Sequence, residues 1–307
     1  MAWKKLGNIF NPAGHNWINS HAQVPTALVM GDIIRIYYAA RDDEGKSYPV
    51  FIDVSADEPT KILHIEKEPV LTRGKPGTFD DDGVMPGYVT SVDDNIFMYY
   101  SGWNAKVSTP YHNATGLAVS RDGGKFARVY EGPVMDRSPT EPYLAVTPSM
   151  LFENNQWKAW YISGIRWDLV NGKYEPVYVI KYATSEDGVT WNRPPELCIA
   201  QRHEQEAFSH PSVINFNDQY HMWYCFRDSK NYRGGTGSYR MGYATSDDGV
   251  NWDRKDDQAG IDVSDSGWDS EMVCYPYIVE AKDRKYMFYN GNGFGQTGIG
   301  VALWYEG

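Results

Sequence analysis

The side chains in this sequence best suited to chemistry are carboxylates that recur at one spacing. Five segments carry a proline inside a short apolar run: "AQVPTALV" at Pro25, "GVMPGYVT" at Pro86, "AVTPSMLF" at Pro148, "FSHPSVIN" at Pro211 and "MVCYPYIV" at Pro276. Five residues before these prolines stand Ser20, Asp81, Tyr143, Glu206 and Glu271; four before stand His21, Asp82, Leu144, Ala207 and Met272. Three segments thus present an acid in the same register, from neighbourhoods that otherwise differ. Paired carboxylates at a common opening can cleave a glycosidic bond. One protonates the leaving oxygen while the other activates water or attacks, with roughly 5 to 9.5 Å between them deciding inversion or retention. A third charge drives the proton affinities of the pair apart. The candidates for that work are Asp81 or Asp82 together with Glu206 and Glu271.

The elements that must position these acids repeat. The prolines are 61, 62, 63 and 65 residues apart. An aromatic-rich strand follows each: "IIRIYYAAR", "NIFMYYSGW", "WKAWYISGIRW", "YHMWYCFRD" and "KYMFYNGNG", all with the period-two alternation of half-buried strands. A third strand comes next, ending in "TSEDGVTW" and "TSDDGVNW" in two repeats and in "SRDGGKF" in another, where Asp-Gly marks a tight structural turn. Fourth strands are expected at "ILHIEKEPVL", "FARVYEGPVM", "ELCIAQ" and "GIDVSD". The last repeat has none, whereas the N-terminal "AWKKLGNIF" has no repeat of its own. A circular array uses the one to complete the other. The expectation is an all-β chain, residues 1–307 as a single domain. It would be a five-bladed β-propeller of four-stranded antiparallel sheets with its ring closed by the N-terminal strand.

In such a ring the approach to each first strand and the end of each second strand share one rim. That places Arg41, Trp103, Arg166, Trp167, Arg227 and Asn292 beside the acids, joined by His21, Gln23, His210 and Tyr275 from the first strands. Aromatic faces stack on sugars, and guanidinium forks take a carboxylate, a phosphate or a hydroxyl pair. The arginines point to an anionic group, on an acidic sugar or as a phosphate co-substrate. The long segments "SGWNAKVSTPYHNATG" and "RDSKNYRGGTGSYR" are expected to rise around the mouth and make it a pocket.

Composition narrows the partners. With 29 basic and 40 acidic residues the formal charge is −11, which repels nucleic acid and anionic membranes. Cys198, Cys225 and Cys274 lack metal-ligand spacing and read as buried thiols, so no metal is expected. "GGTG" at 234–237 and "GNGFG" at 291–295 open no helix and read as rim loops rather than phosphate cradles, so no cofactor is expected. No apolar run follows Lys4 and Lys5, and a cytoplasmic location is the expectation.

With its repeated aromatic strands and "S-x-D-G-x-x-W" at Ser185–Trp191 and Ser246–Trp252, the chain resembles the five-bladed propeller superfamily of glycoside hydrolases. That group contains the arabinanases, levansucrases and invertases, and the mannoside phosphorylases and hydrolases of family 130. Arabinanases and invertases are expected to carry an aspartate at the start of the first blade; here that place reads "SHAQVP". The arrangement in family 130, where acids of later blades share the work, is closer to Asp81 or Asp82, Glu206 and Glu271. The resemblance implies a glycosidase acting by carboxylate acid/base catalysis with inversion, on an oligosaccharide or glycoside. A glycoside phosphorylase and a non-catalytic glycan-binding propeller are the alternatives.

Overall fold

The computed structural model describes residues 2–12, 17–233 and 236–305. They form an all-β structure of antiparallel strand groups that follow the sequence repeat. After β1 (Ala2–Phe10) come β2 (Ser20–Met30), β3 (Ile33–Arg41), β4 (Ser47–Ser55) and β5 (Ile62–Ile65). The next group is β6 (Gly83–Val92), β7 (Asn95–Ala105), β8 (Tyr111–Ser120) and β9 (Ala127–Arg128). β10 (Ala145–Glu153), β11 (Gln156–Val170) and β12 (Lys173–Ser185) follow, then β13 (Glu206–Phe216), β14 (Gln219–Asp228), β15 (Arg240–Ser246) and β16 (Asp253–Arg254). The last group is β17 (Cys274–Ala281), β18 (Arg284–Asn290) and β19 (Ile299–Tyr305). Within each group neighbours in sequence pair antiparallel. β1 pairs with β19, Trp3 opposite Trp304, so the chain's first strand lies beside its last.

The first strands of the groups pack against one another in the order β2, β6, β10, β13, β17 and back to β2. Residues that follow the prolines stitch this contact. Ser149 Oγ accepts from Val213 N at 2.9 Å, and Ser212 Oγ from Ile278 N at 3.0 Å.

The prolines also break the strands. Proline has no N–H to give to a ladder, and in every group the register shifts across it: Gln23/Thr26, Pro86/Tyr88, Val146/Ser149, Ser209/Ser212 and Cys274/Tyr277. In four of these breaks the residue before the proline adopts positive φ: Val24 (51°), Thr147 (47°), His210 (48°) and Tyr275 (56°). Such a bulge re-aims its side chain away from the pleat, at a backbone cost that the surrounding packing must hold.

The Asp-Gly turns have the structural part expected of them. The glycine carbonyl of each turn accepts a hydrogen bond from an aromatic side chain of the preceding group. Tyr37 Oη donates to Gly123 O at 2.8 Å, Tyr99 Oη to Gly188 O at 3.1 Å, and Trp160 Nε1 to Gly249 O at 2.6 Å. Gly188 and Gly249 sit at φ 72° and 77°, where a side chain is strained. The three cysteines are buried and unpaired by disulfides. Two expected fourth strands differ. "ELCIAQ" makes only a bridge at Leu197, and "GIDVSD" forms no strand, because Asp253–Arg254 pairs with β15 instead. No helix of the described residues is long and apolar enough to cross a membrane.

Candidate functional site

A cavity of about 460 Å³ opens where the proline breaks converge, a size suited to a small-molecule ligand. The residue before each of the five prolines lines it: Val24, Met85, Thr147, His210 and Tyr275. The two long segments supply much of the rest. Ser101, Trp103, Tyr111 and Asn113 come from one, and Arg227, Tyr232, Arg233 and Tyr239 from the other. Phe294 of the 291–295 turn reaches the cavity too, whereas Gly234 and Gly235 of the other expected rim loop lie outside the described residues.

The lining is cationic and phenolic on one side. Arg227 is 2% exposed. Its Nε donates to Tyr239 Oη at 3.2 Å and its Nη2 to the Pro176 carbonyl at 2.7 Å, while its guanidinium carbon lies 3.8 Å over the Tyr232 ring. Nη1 has no partner in the protein, and among the described residues no carboxylate pairs with this guanidinium. Arg41 is likewise without an ion pair among the described residues; it donates to Gln23 Oε1 at 3.1 Å and to the Gly45 carbonyl at 2.8 Å. Arg233 differs, being held by Glu175, which also accepts from the Tyr232 hydroxyl. Burial raises the Tyr232 phenol above its ordinary range, and the Arg233 and Tyr232 donors hold Glu175 below the usual carboxylate range despite its burial.

The histidines are neutral. Burial pushes His210 down to about 3. Burial and then the Arg41 charge push His21 down to about 4, with its Nδ1 2.7 Å from Ser20 Oγ. His210 is 2% exposed with Nδ1 unpartnered, and its ring centroid lies 5.8 Å from that of Tyr275. Ser101 Oγ, Asn113 Oδ1 and Thr147 Oγ1, all from lining residues, also lack partners in the protein. Buried polar atoms are normally satisfied, and these stand unpaired on residues of the cavity wall.

Seven of the side chains expected to bind substrate therefore meet in one cavity: His21, Gln23, Arg41, Trp103, His210, Arg227 and Tyr275. Three do not. Arg166 is taken up by Asp168 at 2.8 Å and by the Glu204 carbonyl, Trp167 packs edge-on against Tyr111 at 5.2 Å without lining the cavity, and Asn292 holds the backbone of Glu271 at 2.8 Å.

The expected acid/base set is not brought together there. No aspartate or glutamate is among the described residues lining the cavity. Asp81 borders a separate surface depression with Tyr48 and Arg73 and accepts from Gly77 N at 2.7 Å. Asp82 pairs with Lys46 and accepts from Ala105 N at 2.6 Å; that backbone bond first, then Lys46, lowers its proton affinity. Glu206 is 2% exposed and grips Arg254 at 2.7 and 2.8 Å. Glu271 is exposed, engaged through its backbone by Asn292 and Arg240.

Neighbouring acids of the same loops have a repeated structural part. In four groups an acid joins a second-strand tyrosine to a base on or near the outermost strand. Asp80 accepts from Tyr100 at 3.1 Å and Arg128 at 2.6 Å, and Glu141 from Tyr161 at 2.9 Å beside Arg193 at 3.1 Å. Asp269 accepts from Tyr289 at 3.0 Å and Lys5 at 2.6 Å. In the β13–β16 group Arg254 is shared by Glu206 and by Asp256, which takes the Tyr224 hydroxyl at 2.5 Å. The clamps account for the acids Asp80, Glu141 and Asp269, six or seven residues before their prolines, and not for Asp81 or Glu271. The informative register was the residue immediately before each proline, a signal present in the sequence. Among the described residues no three His, Cys, Asp or Glu side chains gather as a metal site.

The architecture is that of the β-propeller glycoside hydrolases. A glycosyl hydrolase from Bacteroides ovatus superposes with TM-score 0.72 at 16% identity, covering 99% of this chain and 90% of that one. A thermostable family-43 glycoside hydrolase gives 0.67 at 14%, covering 97% and 94%. A structure from work on the GH130 mannoside phosphorylases gives 0.67 at 17%, covering 99% and 93%. By sequence the chain belongs to the family of the Mycobacterium tuberculosis proteins Rv1502 and MT1551. It is 37% identical to each over 306 residues, 99% of both chains. No family model matches it.

Proposed function

We propose that this chain is a single-domain, five-bladed propeller closed by β1, whose cavity takes a sugar unit bearing an anionic group. The cyclic packing of the first strands and the β1–β19 pairing support the ring. Lys5 of β1 also clamps Asp269 as Arg128 of β9 clamps Asp80. The glycoside-hydrolase fold of the neighbours supports a carbohydrate ligand.

One observation carries the anionic part: Arg227, a buried residue of the cavity wall whose Nη1 has no partner in the protein, has no carboxylate partner among the described residues. Burying an uncompensated charge costs on the order of several kcal/mol, and a bound anion recovers it through charge-assisted hydrogen bonds. Arg41 adds a second such cation, in a protein of net charge −11. The site therefore selects its ligand against the sign of the whole molecule.

Calorimetric titration with uronate-containing disaccharides, sugar phosphates and matched neutral disaccharides tests this. Anionic sugars should bind more tightly than neutral ones, and Arg227→Met should weaken the former about 10- to 100-fold with little effect on the latter. Equal binding of neutral and anionic sugars, or an unchanged affinity in Arg227→Met, would overturn it.

A further inference from the structure

We propose that the cavity cleaves a uronate-containing saccharide by β-elimination rather than by hydrolysis. This rests on the anionic-sugar reading and names the reaction. Hydrolysis through an oxocarbenium-like state calls for an acid and a base or nucleophile, ordinarily two carboxyl groups, and no carboxyl group lines this cavity among the described residues. What does line it is a guanidinium without a counter-ion, an uncharged imidazole and phenols. That set fits removal of a proton from the carbon next to a carboxylate. The guanidinium neutralises the carboxylate and stabilises the charge that moves onto its oxygens, the imidazole takes the proton, and a phenol protonates the departing oxygen.

The positions agree. Arg227 on β14 pairs with Ala207 of β13, and His210 stands three residues further along β13, turned out of the pleat by the break at Pro211. Tyr239 joins the two: it accepts from Arg227 Nε at 3.2 Å, and its ring lies 5.7 Å from that of Tyr275, which is 5.8 Å from His210. In the reaction the proton beside the uronate carboxylate passes to the His210 imidazole, while the carboxylate is held by the Arg227 guanidinium. The carbon–oxygen bond at the β position breaks as a carbon–carbon double bond forms, and the leaving oxygen takes the Tyr275 hydroxyl proton. Proton return from the imidazolium to the phenolate, directly or through solvent, restores the site. No water is consumed, and the products together have the mass of the substrate. Burial keeps His210 uncharged but weakens it as a base, so it is the bound carboxylate, whose negative charge favours the protonated form, that must raise its basicity for the proton to pass.

The test incubates the protein with oligogalacturonate, oligoalginate and glucuronate-containing disaccharides in heavy-oxygen water, following ultraviolet absorbance of the conjugated product and product masses. Absorbance growth with no solvent oxygen in the products is expected. His210→Gln and Tyr275→Phe should each lose about 10²- to 10⁴-fold in rate while binding the saccharide with near-unchanged affinity. Saturated products carrying solvent oxygen would overturn elimination, as would a bound saccharide that stays intact. In both outcomes the anionic-sugar reading stands. Failure of every uronate to bind would remove elimination, and failure of sugar phosphates as well would remove the anionic-sugar reading.

Discussion

The Arg227 guanidinium carbon sits 3.8 Å above the Tyr232 ring, and the Tyr232 hydroxyl is committed to Glu175. That acid thus serves the phenol and Arg233, while Arg227 receives, among the described residues, the π faces of Tyr178, Tyr232 and Tyr239, a phenol oxygen and a carbonyl. Aromatic packing fixes this cation without neutralising it.

Replacing it with an apolar side chain of similar length should separate stability from binding. Removing an unpaired buried charge is often neutral or stabilising. The urea midpoint of Arg227→Met is expected to equal or exceed that of the wild type, while the thermal shift produced by a uronate disappears. A midpoint well below wild type would show that the guanidinium is chiefly structural.

Glu206→Ala should behave in the opposite way. It removes one of two acids on Arg254 and leaves that partly buried guanidinium with Asp256 as its remaining acid. A loss of about 3 kcal/mol in chemical denaturation, with cavity binding retained per folded molecule, is expected. Abolished turnover in a fully stable variant would return Glu206 to the catalytic set.

Gly188→Ala tests the docking of the Asp-Gly turns. The residue sits at φ 72°, and an added Cβ would lie 2.5 Å from Tyr99 Oη. Backbone strain of about 1–2 kcal/mol adds to loss of the Tyr99 hydrogen bond. Gly172→Ala, at φ 78° with open space around it, should carry the backbone cost alone. Equal destabilisation of the two variants would show that the Tyr99 contact contributes nothing.

Acid should weaken the fold early. Burial lowers His210 to about 3, and His21 and His221 to about 4, from the ordinary 6.5. Between those values the unfolded chain binds protons that the folded chain refuses, so stability rises with pH there and falls as pH drops below about 6.5. Denaturation midpoints measured from pH 7 to pH 4 should decline, and His210→Gln should flatten the decline. A flat wild-type profile would contradict the burial of these rings.

Acids five residues before the prolines look like an active-site ring in the sequence, but Glu206 is spent on Arg254, Asp81 accepts from Gly77 N and Glu271 is exposed, while other acids, Asp80, Glu141 and Asp269, clamp Tyr100 to Arg128, Tyr161 to Arg193 and Tyr289 to Lys5. Period and side-chain type cannot distinguish an acid facing a cavity from one turned toward its own sheet. The turn after a strand, or a bulge within it, makes that choice.

By itself the sequence determined the repeat and the first three strands of each group, because alternation, aromatic content, Asp-Gly turns and spaced prolines are local properties of the chain. It also marked most of the residues that meet in the cavity, through the two long connections and the second-strand ends. Only the tertiary structure decided which charges are compensated. Arg254 finds Glu206, 48 residues away, and Arg233 finds Glu175, 58 residues away, while Arg227 finds no acid among the described residues. Pairing of charges depends on distances between strands and loops remote in sequence, and no local pattern in the chain encodes those distances.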